Sequence, residues 1–205
     1  MISYNVSANK EQIAEAVSLF EFVGGNTTDA VRIAINKAAP KVRTMASSAI
    51  RSQVRLKAAY VKGKLTITKA TRLKLSGAIR ADSRGLLLSK FSTDTKVSGD
   101  KIGWILPPPM PAQGIKVKVK PSGPSKPLSS DHFYMVLPNS HALAIVRRRA
   151  TPGPKGGKID VLYGPSVSQV FNTVRDDVLP VASDVYQAQL LDAMRYILTK
   201  KYPTE

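Results

Sequence analysis

A long stretch of this chain is basic and contains no carboxylate at all. Between Asp29 and Asp82, thirteen side chains are Lys or Arg and none is Asp or Glu. Its cations therefore lack the neighbouring carboxylates with which helix-surface residues usually form ion pairs. A merely soluble surface mixes charges of both signs, so this stretch must present an almost purely positive surface, and we expect that surface to meet a partner.

Apolar residues recur through the first half of this stretch in steps of three or four residues. The apolar positions are Val31, Ile35, Ala38, Val42, Met45 and Ala49. This spacing predicts a helix with a narrow apolar stripe that packs on one neighbour. Pro40 interrupts the pattern, and an interior proline costs a helix about 3 kcal/mol. Either the helix kinks or a new helix begins at Pro40; we favour the kink because the apolar phase continues across the proline.

Weaker patterns predict short elements on both sides of this helix. A strand is predicted at residues 2–7, a helix at 10–22 and a short helix at 57–62. From residue 65 the pattern changes to period two, which is typical of strands, and residues 86–91 continue the same sheet. The β-favouring positions are Leu65, Ile67, Leu73, Leu75 and Ile79.

The middle of the chain is rich in proline. Residues 105–127 hold seven of the fourteen prolines, which excludes helix from much of this segment and favours extended structure. The sequence IKVKVK at 115–120 alternates, which predicts a strand with Lys116, Lys118 and Lys120 on one face. These lysines either protect a sheet edge from aggregation or face an anionic ligand, and the sequence leaves both open.

The last third of the chain predicts a hairpin followed by a long helix. Residues 132–149 form two strands, and residues 151–158 form a connector. After a further short strand, Ser166 is the predicted N-cap of a helix that bends at Pro180 and ends at about Thr199. Its apolar positions are Val167, Val170, Phe171, Val174, Val178, Val181, Val185, Ala188 and Leu191.

Acidic residues lie on the polar side of this last helix. They are Asp176, Asp177, Asp184 and Asp192. A basic first half and a locally acidic last helix suit head-to-tail contact between copies of the chain. Together the patterns predict an α+β fold with a long kinked helix in the N-terminal half, a small and mostly antiparallel sheet, and a long C-terminal helix.

Composition narrows the classes of function. The formal charge of +17 and the pI near 10.2 favour nucleic acid, an anionic membrane surface or an acidic protein as the partner. The chain has no cysteine and no run of about 20 apolar residues, so we expect no disulfide, secretory leader or membrane span. His132 and His141 are the only histidines, and no nucleophile elbow is present. We therefore expect no catalytic site, metal or cofactor.

Several short motifs follow one another in an order that resembles one protein family. They are AINKA at 34–38, IRSQV at 50–54, LKAAYV at 56–61, LTITKA at 65–70, LLLSKF at 86–91 and LYGPSVSQVF at 162–171. In these motifs the chain resembles the minor tail protein Z type of tail-completion protein from long-tailed bacteriophages and prophages. The resemblance covers residues 30–92 and 132–198.

This resemblance implies a structural, non-enzymatic virion protein at the head-proximal end of the tail, with a single domain over residues 1–205. Residues 1–25 would add an N-terminal strand and helix, and residues 105–130 a proline-rich variable insertion. The implied partners are further copies in a ring that follows the six-fold tail symmetry, the tail terminator, tail tube or head-completion proteins, and packaged double-stranded DNA bound non-specifically. No membrane partner is implied, and assembly is expected in the host cytoplasm.

Two sets of residues are predicted to make these contacts. The basic set, facing DNA or a protein partner, comprises Arg43, Arg51, Arg55, Lys57, Lys62, Lys64, Lys116, Lys118, Lys120, Arg147, Arg148 and Arg149. The set predicted to contact neighbouring subunits comprises Val31, Ile35, Val42, Met45, Val170, Phe171, Val174 and Val178. Three alternatives stay open: the cations are solvated faces, the protein is a free non-specific DNA-binding protein, or it is an enzyme acting on the bacterial wall.

Overall fold

The chain contains two compact units, each built from separate segments. The computed structural model describes residues 3–6, 27–94, 106–149 and 159–201. The first unit comprises residues 1–49, 62–82 and 171–205, and the second comprises residues 50–61 and 83–170. The predicted helix at 10–22 and the connector at 151–158 lie outside the described residues. The assignment of residues 1–205 to a single domain stays a prediction.

The long helix predicted in the basic stretch is present. Helix α1 covers Thr27–Gln53 and passes through Pro40 without a break, so no new helix begins there. Pro40 is exposed, and its ring is therefore accommodated without displacing a core residue. The Thr44 hydroxyl donates a hydrogen bond to the Pro40 carbonyl one turn back, at 3.1 Å.

The buried face of α1 is wider than the predicted stripe. The predicted positions Val31, Ile35, Ala38 and Val42 are buried, but Met45 and Ala49 are only half-buried. The buried set also includes Ala30, Ala34, Ala39, Ala46 and Ile50. The buried positions from Ala38 onwards advance in steps of four residues, which turns the buried face by about 40° per step around the helix, and small alanines beside the larger residues broaden it.

The first unit combines the helices with a three-stranded antiparallel sheet in the order β1-β3-β2. Its strands are β1 Ser3–Val6, β2 Leu65–Thr68 and β3 Gly77–Ala81. The prediction that Leu73 and Leu75 lie in this sheet is wrong, because both are exposed and lie between β2 and β3. Residues 69–76 instead form a loop, in which the Thr71 hydroxyl accepts a hydrogen bond from the Lys74 amide.

Asn36 of α1 holds the start of this loop. Its amide nitrogen donates to the Ala70 carbonyl at 3.0 Å, and its amide oxygen accepts from the Ala70 N–H at 2.8 Å. Ala70 is buried, so both backbone groups would otherwise lose their contact with water without a partner. The Asn36 side chain therefore replaces the strand neighbour that the loop lacks.

The second unit consists of short elements. They are α2 Ala58–Gly63, β4 Leu86–Leu87, a 3₁₀ helix at Leu88–Phe91, β5 Lys116–Val117, β6 Lys126–Pro127, β7 His132–Val136, β8 Leu143–Arg148, β9 Ile159–Val161 and β10 Tyr163–Gly164. The part of α2 up to Val61 belongs to this unit, and its last two residues belong to the first. The predicted hairpin is β7 and β8, and β9 pairs with β8 to complete an antiparallel sheet. The strand predicted at 115–120 is wrong in length, because only two residues pair with β6. Proline at position 121 and the loop that follows end the pairing.

A small apolar cluster stabilises the second unit. Tyr134 of β7 packs with Leu143 and Ile145 of β8, and Ile115 and Val117 of the proline-rich segment join them. Ile115 is 1 % exposed. The segment after the prolines therefore contributes directly to this core.

The C-terminal helix α3 covers Val167–Lys201 and begins with a capping box. The Ser166 hydroxyl accepts from the Gln169 N–H at 3.1 Å, and the Gln169 side chain accepts from the Ser166 N–H at 2.9 Å. The predicted N-cap is confirmed. Pro180 lies inside the helix and is exposed, as Pro40 is in α1.

The buried face of α3 departs from the prediction after Val178. The helix buries Ala182, Tyr186, Leu190, Ala193 and Ile197, which pack with α1 in the first unit. The predicted positions Val181, Ala188 and Leu191 are exposed, and Val185 is half-buried. Apolar residues lie on two faces of this helix, and the buried face is the one that packs against α1, advancing in steps of four residues from Val178 to Leu190.

Candidate partner-binding surface

A backbone hydrogen bond brings together two basic segments that are far apart in sequence. The Arg55 N–H donates to the Val119 carbonyl at 2.8 Å, so Arg55 lies beside Lys118 and Lys120. Both segments belong to the second unit. We call this surface the basic ledge, and it comprises Arg51, Arg55, Lys57, Lys118 and Lys120.

The end of α1 positions the first half of the ledge. Val54 is buried just after the helix ends, and its N–H donates to the Ile50 carbonyl. The chain then turns, so the Arg51 Nε reaches the Leu56 carbonyl at 3.3 Å and the Arg55 guanidinium reaches the Ser92 carbonyl at 3.3 Å. A guanidinium has five N–H donors, so each arginine keeps donors for a partner.

The ledge has no carboxylate beside it. Across the described ranges 27–94, 106–149 and 159–201, none of its five cations forms an ion pair. Four of the five are exposed and Lys118 is half-buried. Because like charges that lack counter-charges raise the local potential, this surface attracts anions.

Three other predicted basic residues belong to the first unit and do not join the ledge. Lys64 forms an ion pair with Asp82 at 2.7 Å. Lys62 is half-exposed beside it in sequence. Arg43 is half-buried on α1, and its Nε is buried without a hydrogen-bond partner.

The remaining predicted cations lie in the second unit but are already engaged. Arg149 donates to both oxygens of Asp160, at 2.9 Å from Nε and 2.6 Å from the guanidinium end, and Arg147 lies 3.7 Å from the same carboxylate. The hydrogen bond from Arg149 lowers the pKa of Asp160 below its usual value and raises the pKa of Arg149. Arg148 stacks over the Phe133 ring at 5.1 Å. The Lys116 ammonium donates to the Gln113 side chain at 2.7 Å.

The residues predicted to contact other subunits are covered by the chain itself. Seven of the eight are buried, and Met45 is half-buried. The structure of one chain does not test contacts between subunits, so this set stays a prediction. Sequence reasoning noted the acidic residues on the polar side of the last helix, but it placed the subunit contacts on the apolar stripes and did not single out the exposed face of α1.

The described residues contain neither a cluster of metal-ligating side chains nor a helix that could span a membrane. Within them, no three His, Asp or Glu side chains come together in a way that could hold a metal ion. No described helix has the length and apolar character to cross a bilayer. The His132 ring is engaged locally, with Nδ1 2.9 Å from the Ser129 hydroxyl.

The comparison with known families identifies the chain. A family model described as prophage minor tail protein Z matches residues 13–201 of the 205 residues. The chain belongs to this family. The predicted resemblance is confirmed, and the protein is a structural component of a phage tail, hence of the virion. No curated protein and no solved structure gives a significant match.

The motifs that carry the family resemblance contact one another in the structure. Asn36 of AINKA bonds to Ala70 of LTITKA, as described above. The Lys90 ammonium of LLLSKF lies 5.4 Å from the centre of the Tyr60 ring of LKAAYV. Gly164 of LYGPSVSQVF packs against the Phe91 ring of LLLSKF. These contacts between motif residues therefore stabilise the fold of this member of the minor tail protein Z family.

Proposed function

We propose that this protein completes the head-proximal end of a phage tail and supports the joining of head and tail. It does so by binding neighbours: copies of itself in a ring that follows the six-fold tail symmetry, and the tail terminator, tail tube or head-completion proteins. Assembly takes place in the host cytoplasm. The observation that carries the proposal is the match to the minor tail protein Z family over residues 13–201.

The basic ledge is the part of the proposal that concerns DNA passage. Packaged DNA must leave the head through the tail, and its phosphates would meet the five ledge cations without sequence readout. The absence of carboxylate partners among the described residues favours this surface over the Arg147–Arg149 cluster, where Asp160 already offsets part of the charge. Binding would be weak and transient, as a passing polymer requires.

Particles assembled without this protein test the structural role. We expect electron micrographs to show tails that are incomplete or unattached to filled heads, and wild-type protein supplied in trans to restore them. A variant with Arg55→Gln, Lys118→Gln and Lys120→Gln should still join heads to tails but deliver DNA less efficiently. Normal tails that bind heads and deliver DNA without the protein would overturn the proposal.

A second candidate function is that of a free, non-specific DNA-binding protein, and the ledge is what favours it. Five phosphate contacts predict a slope of log affinity against log salt of about −4.5, or roughly 500-fold weaker binding at 200 mM than at 50 mM salt. The triple ledge variant should reduce this slope by about 3, whereas Lys69→Gln, Lys74→Gln and Lys126→Gln serve as the matched control. These three lysines are exposed and lie outside the ledge.

Two results would separate the candidates. If wild-type protein shows no salt-dependent binding to duplex DNA, DNA is excluded as a partner in both candidate functions. Protein surfaces are then the only partners left. Equal losses in the ledge variant and its control would mean that net charge alone attracts DNA. We also propose that the protein is not an enzyme; turnover of peptidoglycan by the purified protein would contradict this.

A further inference from the structure

The outer face of helix α3 carries an exposed line of acidic and apolar residues. The line comprises Asp177, Val181, Asp184, Ala188 and Leu191, in alternating steps of four and three, opposite the buried side of the helix. Val181 is 40 % exposed and Leu191 is 53 % exposed. Large exposed aliphatic residues on an ordered helix face favour contact with another surface.

The charge of this line is uncompensated. From Asp176 to Met194 the chain has four Asp and no Lys or Arg. In the described part of the chain, Asp177 and Asp184 form no ion pair, whereas Asp176, which lies off the line, pairs with Arg175 at 2.7 Å. The surface that covers this face must therefore be basic and must also accept Val181 and Leu191.

Helix α1 has an outer face that meets both requirements. Lys37, Lys41, Thr44 and Ser48 are exposed and follow one another in steps of four, three and four, opposite the buried side of α1. Neither lysine pairs with a carboxylate among the described residues, although Lys37 lies 5.8 Å from the centre of the Tyr196 ring. The short side chains of Thr44 and Ser48 leave room for another helix to approach.

We propose that the outer face of α3 in one copy docks on the outer face of α1 in a second copy. This inference rests on the self-assembly in the proposed function and names the surfaces that carry it. The α3 line repeats every 3.5 residues on average and the shorter α1 line about every 3.7, close to the period of helices that cross at a shallow left-handed angle. The two faces differ, so the contact is head-to-tail, and such a contact forms a ring when the rotation between successive copies closes.

The geometry also indicates how strong this contact is. The α3 line is about 20 Å long, at 1.5 Å per residue. Such a helix pair buries less than the roughly 1,200 Å² of a small stable interface. Each contact is therefore weak and salt-sensitive, and a ring gains its stability from several contacts formed together. The isolated protein should associate at high concentration and low salt, and be monomeric when dilute.

Charge exchange between the two faces tests the proposal by sedimentation at several protein and salt concentrations. Asp177→Lys with Asp184→Lys, or Lys37→Glu with Lys41→Glu, should each weaken self-association at least about tenfold. The chain that carries all four substitutions should recover it, because the charges are again complementary. Lys69→Glu with Lys74→Glu changes the net charge as much as the α1 variant does, at exposed loop positions, and should leave association unchanged.

A second test mixes the α3 variant, Asp177→Lys with Asp184→Lys, and the α1 variant, Lys37→Glu with Lys41→Glu. This test does not require the fourfold variant to fold. The mixture should associate although neither protein does so alone. If wild-type protein associates and the exchanges have no effect, or if neither the mixture nor the fourfold variant recovers association, the interface is wrong while self-assembly stands. Wild-type protein that is monomeric at every concentration and salt would overturn both the interface and the proposed self-assembly.

Discussion

The same basic stretch has different surroundings in the two units of this protein. In the first unit, the two carboxylates that bound the stretch pair with cations inside it. Asp29 accepts hydrogen bonds from Arg32 and Arg72, and Asp82 forms an ion pair with Lys64. In the second unit, the three residues of this stretch that belong to the basic ledge, Arg51, Arg55 and Lys57, have no carboxylate partner among the described residues. The cations form one continuous block in the sequence. In the first unit some of them form ion pairs within the fold, whereas in the second unit they remain available to a partner.

The two units also differ in what stabilises them. The first relies on long helix faces rich in Ala and Val, with a polar connection through Asn36 between α1 and the loop after β2. The second has short strands and depends on close contacts, such as that of Gly164 with the Phe91 ring. A close glycine contact also occurs in the first unit, where a Cβ on Gly77 would lie 2.6 Å from Cγ2 of Ile35.

Gly164→Ala should have the largest effect. A Cβ at this position would lie only 2.9 Å from Cδ2 of Phe91 and closer still to Cε2. The Phe91 ring is fully buried, so the ring or the backbone must shift within a packed core, and we expect a loss of about 3 kcal/mol in the free energy of unfolding. Urea unfolding measures this loss.

Gly63→Ala is the matched control for this change. Apart from Gly63 itself, its two chain neighbours and the nearby backbone of its own helix, no atom lies within 4 Å of the Cβ that this substitution would add. We expect its unfolding midpoint to change little or to rise slightly, because alanine restricts the unfolded chain more than glycine does. Equal midpoints for the two variants would show that the Phe91 contact does not limit the stability of the second unit.

The sequence predicts the long elements of this fold better than the contacts between them. Periodicity finds α1, the hairpin and the Ser166 cap, because each depends on neighbouring residues. Periodicity fails at Leu73 and Leu75, because alternating residues that have no partner strand form a loop here. It also fails at Val181, because apolar residues lie on two faces of the same helix and this face is exposed. Burial depends on which face meets the rest of the unit.

The candidate site shows the same limit. The ledge residues were all predicted as basic candidates, yet nothing local in the sequence joins Arg55 to Val119, whose contact is a backbone hydrogen bond across 64 positions. Likewise, only the structure separates Lys64, paired with Asp82, from the unpaired Lys57. Charge pattern gives the residue types, and the fold decides which of them remain available.

Asn36→Ala should have the next largest effect and tests the polar connection of the first unit. The substitution leaves the N–H and carbonyl of buried Ala70 without partners, which we expect to cost about 2 kcal/mol. Asn36→Asp is an informative companion, because it keeps the acceptor for the Ala70 N–H but loses the donor to the carbonyl. Hydrogen exchange of the Ala70 N–H should accelerate in the alanine variant, and unchanged protection would contradict this account.

Ser166→Ala should have a smaller effect, about 1 kcal/mol, because it removes one hydrogen bond at the start of α3. The Gln169 N–H then loses its acceptor in the capping box. Gln169→Ala removes the reciprocal bond from the other side and should cost less, since Gln169 is exposed. Thermal unfolding followed by circular dichroism ranks the two variants, and a reversed order would mean that the Ser166 hydroxyl is not the main cap.

The smallest expected effect is that of pH, and it compares one carboxylate from each unit. The pKa of Asp29 is lowered, chiefly by its hydrogen bond with Arg72, and the pKa of Asp160 is lowered, chiefly by Arg149. A carboxylate whose pKa is lower in the folded state contributes stability above its unfolded value, near 3.8, and that contribution disappears as the pH falls through the folded value. Wild-type stability should therefore decline below about pH 4.

The variants Asp29→Asn and Asp160→Asn should each be slightly less stable than the wild type at pH 7 and lose less on acidification. Asp29→Asn should cost more, because this carboxylate also lies in the first turn of α1, where the helix dipole favours an anion. Both pairs reach solvent, so 1 M salt should reduce the differences. If urea midpoints of both variants follow the wild type at every pH, the paired charges of the first unit are no more structural than the unpaired charges of the ledge.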